Sequence, residues 1–373
     1  MRVVIATDKF RGSFSARQAA ATMASALREC LPTATIYESR VADGGEGTLE
    51  VLLSAVGGRE SSVEVAGPLG DPVGGRMAVL ANGWAVIEMA TASGLDRLTR
   101  DRRDALRASS TGTGELIRAA IEEIERPARL IVCIGGSAST DGGVGAATAI
   151  GWRFLDRGGR GLSPGGGFLT ELASIGRPHR DFLEGISVTG ACDVDSPLTG
   201  LAGAARVYAP QKGATAGEIA RLERALETLA ARISSDLDIG VAGLPGAGAG
   251  GGMGAGLVAF FGGELVPGVD LVAEAVGLKQ QIEKADLVIT GEGSLDGQSL
   301  RGKCAVGVAR IASAAGVDCV AVAGRVAVER AELQTRGISV AVDLTEHSQR
   351  SDAEALKRAT CEAVQSWSVR RPS

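Results

Sequence analysis

Histidine is nearly missing from this chain: only His179 and His347 occur in 373 residues, each isolated among polar or charged neighbours. Histidine-built zinc sites and Ser-His-Asp machinery therefore have no support. Aromatic residues make up only 3%. No run approaches the ~18 apolar residues of a membrane-spanning helix, and the opening MRVVIATDKF lacks the apolar stretch of a signal peptide. The six cysteines, at 30, 133, 192, 304, 319 and 361, form no CxxC pair. Several fall in apolar runs such as 130–134 and 317–323, where a thiol acts as a small buried hydrophobe. The 39 basic residues are scattered and the net charge is −5, which argues against a nucleic-acid or anionic-membrane partner. The expectation is a reduced, cytoplasmic protein without disulfides.

Glycine, by contrast, is abundant. Its 54 positions are roughly twice the usual ~7% share. A hydrophobic content of 45% and the lack of a three-residue repeat exclude a disordered or collagen-like chain. The glycines belong in loops where backbone approaches backbone or ligand closely.

The length suits two ordinary domains, and the patterning changes twice along it. Val3–Ala6 reads as a strand. Ser15 to Gln18 forms a capping box for a helix with Ala19, Met23, Ala26 and Leu27 on its apolar face. A second strand is expected at Thr35–Tyr37 and a helix at 48–56. The segments 62–66, 76–80 and 84–89 alternate like antiparallel strands joined by Gly-Pro and Asn-Gly turns. Further on come a helical stripe from Leu116 to Ile124, a strand at 130–134, and a second capping box, Thr215 to Glu218, opening a helix through Ile233. The last ninety residues return to the opening style, with strands at 286–290, 319–323 and 339–342 between helices near 305–315 and 353–366. The reading is α/β with two α/β domains. Residues 1–61 together with 286–373 form a three-layer parallel sheet from both chain ends, and residues 62–285 form an inserted α/β domain.

Five loops that end strands combine glycine with acidic, basic or hydroxyl side chains: 7–13, 43–47, 135–143, 191–193 and 291–296. Amides of glycine loops cradle phosphate oxygens, while carboxylates hold magnesium or take a proton. With histidine scarce, acid–base work falls to Asp or Glu and charge stabilisation to Lys or Arg, and phosphoryl transfer needs little else. Gly246-x-Gly-x-x-Gly251 matches a dinucleotide fingerprint, but no strand leads into it. Gly297-x-x-x-x-Gly302-Lys303 falls one residue short of a P-loop, because Cys304 stands where Ser or Thr would ligate magnesium.

Six blocks together, Val41 to Thr48, Gly135 to Gly143, Ala191-Cys-Asp193, Pro210-Gln-Lys-Gly213, Pro245 to Met253, and Ile289 to Gly293 with Gly302-Lys303, resemble the type 1 bacterial glycerate kinases. The resemblance covers residues 1 to about 325, in order and at family spacing. It implies a flavodoxin-like domain with a second α/β domain inserted, and an ATP- and Mg2+-dependent kinase making 2-phosphoglycerate from D-glycerate in a cleft between the domains. Two places depart from the family pattern. Asp8-Lys-Phe-Arg11 stands where the family reads Asp-Ser-Phe-Lys, and Thr345-Glu-His-Ser348 matches the family's C-terminal loop poorly.

Catalysis is then expected of Asp193, Asp43 and Lys212, with Asp193 or Asp43 as base or metal ligand. Asp8, Lys9, Arg11, Ser13, Gly44, Gly45 and Glu46 are expected to bind the acid substrate, Lys9, Arg11 and Lys212 being the available cations for its carboxylate. Gly135, Gly136, Ser137, Asp141, Gly142, Glu292, Gly293, Asp296 and Lys303 are expected on the nucleotide and its phosphates, and Asp193 and Glu292 on the metal. The partner is a small molecule, with a homodimer left open. A hydroxy-acid oxidoreductase using a nicotinamide cofactor is the alternative, and a ligand sensor that has lost catalysis a third.

Overall fold

The computed structural model describes residues 1–10, 13–125, 128–297, 299–301, 303–347 and 352–370. Val3, Val4 and Ile5 make β1 (Arg2–Thr7) apolar on both faces, as a central parallel strand requires. α1 (Ala16–Cys30) starts on the expected capping box: the Ser15 hydroxyl accepts from the Gln18 amide, and the Gln18 side chain accepts from the Ser15 amide. β2 (Thr35–Arg40) runs parallel to β1.

The chain divides into two units, residues 1–43 with 267–373, and residues 44–266. The second unit contains, in order, α2 (Thr48–Val56), β3 (Gly58–Ala66), β4 (Pro72–Leu80), β5 (Ala85–Glu88), α3 (Met89–Ser93), α4 (Thr111–Glu123), β6 (Ala128–Cys133) and α5 (Val144–Ala149). It continues with the small antiparallel pair β7 (Arg153–Leu155) and β8 (Ser174–Gly176), then β9 (Ile186–Ala191), α6 (Ala204–Tyr208), α7 (Ala216–Leu237), α8 (Ala249–Phe261) and β10 (Glu264–Val266). Its main sheet has the order β10-β9-β6-β5-β4-β3; the first four strands are parallel, and β4 pairs antiparallel with both β5 and β3. α7 opens on the Thr215–Glu218 capping box and buries Leu222, Leu226, Leu229 and Ile233.

The chain then returns to the first unit through α9 (Gly268–Ala275), α10 (Leu278–Ile282), β11 (Leu287–Glu292), α11 (Cys304–Ala314), β12 (Cys319–Ala323), α12 (Arg330–Thr335), β13 (Ile338–Asp343) and α13 (Asp352–Arg370). All five strands of its sheet are parallel, in the order β2-β1-β11-β12-β13. Renumbered within the unit that order is 2-1-3-4-5, the flavodoxin-like arrangement. Val3, Ile5, Leu287, Ile289, Val320 and Val322 pack with α1 and α13 in one core, while α11 packs on β11 and β12 beside α9 and α10.

The division falls at 43/44 and 266/267, whereas the sequence reading set the edges at 61/62 and 285/286. The difference has a packing cause. α2 packs on β3, β4 and β5, while α9 and α10 pack on α11. All six cysteines are free thiols, four of them buried. Among the described residues no helix is long and apolar enough to cross a membrane.

Candidate active site

Parallel strands present their carboxyl ends, and the loops that follow, at one sheet edge. In the first unit β1 delivers Asp8 and β11 delivers Glu292. The Asp8 amide donates to Gly291 O at 3.0 Å, and the Lys9 amide donates to Asp8 Oδ1 at 2.6 Å. The loop beyond is clipped by paired Phe10–Phe14 backbone bonds and an edge-to-face contact of the two rings. Ser13 is exposed there and Lys9 half-buried; Arg11, and farther on Gly302, lie outside the described residues.

Glu292 is 7% exposed, and its Oε1 has no hydrogen-bond partner among the described residues. Burial pushes its carboxyl up to about 8. The charges of Asp8 and Asp43 push the same way, while the Ser299 hydroxyl and Lys303 pull against them. Asp8, Asp43 and Lys303 thus each act electrostatically on Glu292. Asp296 forms a reciprocal turn with Ser299, its Oδ1 accepting from the Ser299 amide at 3.2 Å. Lys303 stands at the cap position of α11.

In the second unit the 44–47 turn lies against two strand ends. A Cβ on Gly44 would sit 2.9 Å from the Ala191 Cβ, and one on Gly135 would sit 2.8 Å from the Gly45 Cα. Those glycines serve close backbone packing first. Gly44 is buried, Gly45 half-buried and Glu46 exposed; Asp193, just past β9, is half-buried.

The 135–143 loop is mostly interior: Gly135 and Gly136 reach the surface, while Ser137 to Gly142 are buried. Asp141, 1% exposed, takes five donors: the Ser109 hydroxyl, the Ser110 amide and hydroxyl, and the amides of Gly143 and Gly145. Its carboxylate ties α4 to α5 and has little capacity left for a ligand. Gly142 is equally internal, its Cβ position only 2.2 Å from Leu229 Cδ2. Sequence reasoning placed both on the nucleotide because a hydroxyl-rich glycine loop looks alike whether it faces a phosphate or a helix.

Lys212 is 2% exposed and donates to Ser137 Oγ at 2.9 Å and to Ser139 O. Burial pulls its ammonium down to about 7, against the opposing charge of Asp141. It reaches this place because Gly250, Gly251 and Gly252 all take left-handed backbone, and a Cβ on Gly251 would meet Lys212 Nζ at 2.8 Å. The dinucleotide-like glycines are thus packing glycines, with no strand before them.

Glu88 escaped the sequence reading. It ends β5 at 2% exposure and accepts from the amides of Gly47 and Leu49. A lone acid closing the apolar run Ala85-Val-Ile was the available signal.

A family model described as the glycerate kinase family matches residues 3–367. The chain belongs to the glycerate kinase family. It is 43% identical over 345 residues to a glycerate kinase of Halalkalibacterium halodurans, covering 92% of this chain and 90% of that one. It is 42% identical over 326 residues to the glycerate 2-kinase of Escherichia coli, covering 87% and 85%. A crystal structure from Salmonella typhimurium LT2, provisionally named glycerate kinase 2, superposes with a TM-score of 0.82 at 39% identity over 99% of both chains.

Proposed function

We propose that this chain transfers the γ-phosphoryl group of ATP to a hydroxyl of D-glycerate, giving 2-phosphoglycerate and ADP. The family match over residues 3–367 supports the reaction class. Within the molecule the carrying observation is Glu292, buried at the carboxyl end of β11 with an orphaned Oε1 and within electrostatic reach of Asp8, Asp43 and Lys303. Phosphoryl transfer asks a protein to position two substrates and neutralise developing charge, and strand-end carboxylates with a lysine in electrostatic reach supply parts for that.

Among the described residues no group of three or more His, Cys, Asp or Glu side chains could hold a metal ion. Magnesium usually needs one or two carboxylates plus nucleotide phosphates and water. Glu292, with its orphaned buried Oε1, fits that requirement as one proposed ligand. When bound, magnesium neutralises phosphoryl charge. Lys303 adds a point charge for the phosphates, Lys9 and Lys212 are the cations proposed for the acid's carboxylate, and Asp193 or Asp43 takes the hydroxyl proton.

A coupled assay of ADP release with D-glycerate, followed by phosphorus NMR of the product, tests the reading. Release with glycerate and a 2-phosphoglycerate resonance are expected. No release, together with a melting shift under NADH and none under ATP-magnesium, would turn the assignment to an oxidoreductase.

A further inference from the structure

α2 opens on Gly47, which has no side chain to cap the free amides of the first turn. Glu88 supplies the acceptor from another element. Its Oε1 takes the Gly47 amide at 2.8 Å and the Leu49 amide at 2.9 Å. Its own backbone is pinned, since Thr91 Oγ1 donates to Glu88 O at 2.8 Å and accepts from the Arg76 amide at 3.0 Å.

Burying a carboxylate is costly. Burial raises the Glu88 pKa, the Leu49 and Gly47 amides and Arg76 lower it, and Glu46 adds to the rise. A Ser, Asp or Asn at position 47 would cap α2 locally and more cheaply. What Glu88 achieves beyond capping is a tie between the 44–47 turn and the end of β5. The neighbouring strand ends touch the same turn, through Gly44 against Ala191 and Gly135 against Gly45. That turn offers the exposed Glu46 carboxylate and the Gly45 backbone, acceptors and donors suited to a small acid carrying hydroxyl groups.

We propose that Glu88 is a positioning residue for the acid substrate: by fixing the 44–47 turn it sets the group that receives D-glycerate, a role that rests on the reading given under Proposed function. Glu88→Ala removes the acceptor, Glu88→Asp draws it back by one methylene, and Glu88→Gln keeps an oxygen of the same reach.

The test measures both Michaelis constants, kcat and melting temperature for each variant. Losing two charge-assisted bonds is expected to raise the glycerate KM by roughly ten- to a hundred-fold in Glu88→Ala and Glu88→Asp, with the ATP KM within about twofold. Glu88→Gln is expected to recover most of that loss. A fall in melting temperature with both KM values unchanged would overturn the proposal and leave a structural cap. If Glu88→Ala does not fold, equal glycerate KM values for the Gln and Asp variants would overturn it equally. Failure of the parent enzyme to phosphorylate glycerate is a different outcome, which overturns the functional reading itself.

Discussion

Folding takes Lys212 out of water, and its titration records the cost. Unfolded, the amine keeps its proton to near 10.5; folded, it gives it up at about 7. Between those values the unfolded chain binds a proton that the folded chain does not, so stability rises with pH across that window. Urea midpoints from pH 7 to 9 are expected to show the parent gaining on Lys212→Met by about 1 kcal/mol per pH unit. A pH-independent difference would mean Nζ keeps its charge in the fold. Asp141→Asn sets an amide among five donors, and each donor left without an acceptor costs about 1–3 kcal/mol. A clear drop in the urea midpoint is the expected result; an unchanged one would release Asp141 for ligand duty. At Lys303 the expectation concerns binding. Lys303→Ala is expected to raise the ATP KM roughly ten- to a hundred-fold with little change for glycerate, and the reverse pattern would assign the lysine to the acid. Position at a strand end is legible in the sequence at this scale, and burial is not. Asp8, Asp43 and Glu292 lie at or just past strand ends, as the loop pattern implies, whereas nothing local distinguishes Asp141, buried in a hydrogen-bond knot, from an acid facing a ligand.

Elements that carry their own punctuation are the ones legible in the sequence. Both capping boxes form as expected, because Ser15 with Gln18 and Thr215 with Glu218 each satisfy two amides reciprocally. β12 and α2 occupy the expected residues. Glycine is the exception, since the same letter serves a turn, a close approach or a helix interior. Gly251 and Gly217 show the contrast. Gly251 has φ +72, and a Cβ there would lie 2.0 Å from Ser139 O. Gly217 lies within the first turn of α7, has ordinary φ and faces open space. Gly217→Ala is expected to raise stability by about 0.4–1 kcal/mol, while Gly251→Ala is expected to lose more than the ~1–2 kcal/mol of left-handed strain alone and to dislodge Lys212. Thermal melts of the two variants decide it, and a shift of the same sign in both would refute the packing account of α8.

On the scale of the whole chain, each unit keeps its own core. One apolar cluster draws only on residues between Val65 and Phe261; the other combines Val3 to Leu27 with Leu287 to Trp367. A fragment of residues 44–266 is therefore expected to unfold cooperatively in urea when expressed alone, whereas residues 1–43 or 267–373 alone are not. A non-cooperative fragment would show that the second unit depends on the first. The change of pattern at mid-chain was visible in the sequence; the crossing points were displaced because α2, α9 and α10 carry no mark of the sheet they cover. The pairing of β1 with β2 on one side and β11 on the other also sets a timetable for a growing chain. β1 and β2 leave the ribosome first, yet β11 follows only after all of residues 44–266, a delay of tens of seconds at ~5–20 residues per second. Through that interval β1 exposes an apolar edge able to pair with any other extended chain. The first forty residues are thus the stretch a holding chaperone must shield, and the unit begun first in synthesis is completed last.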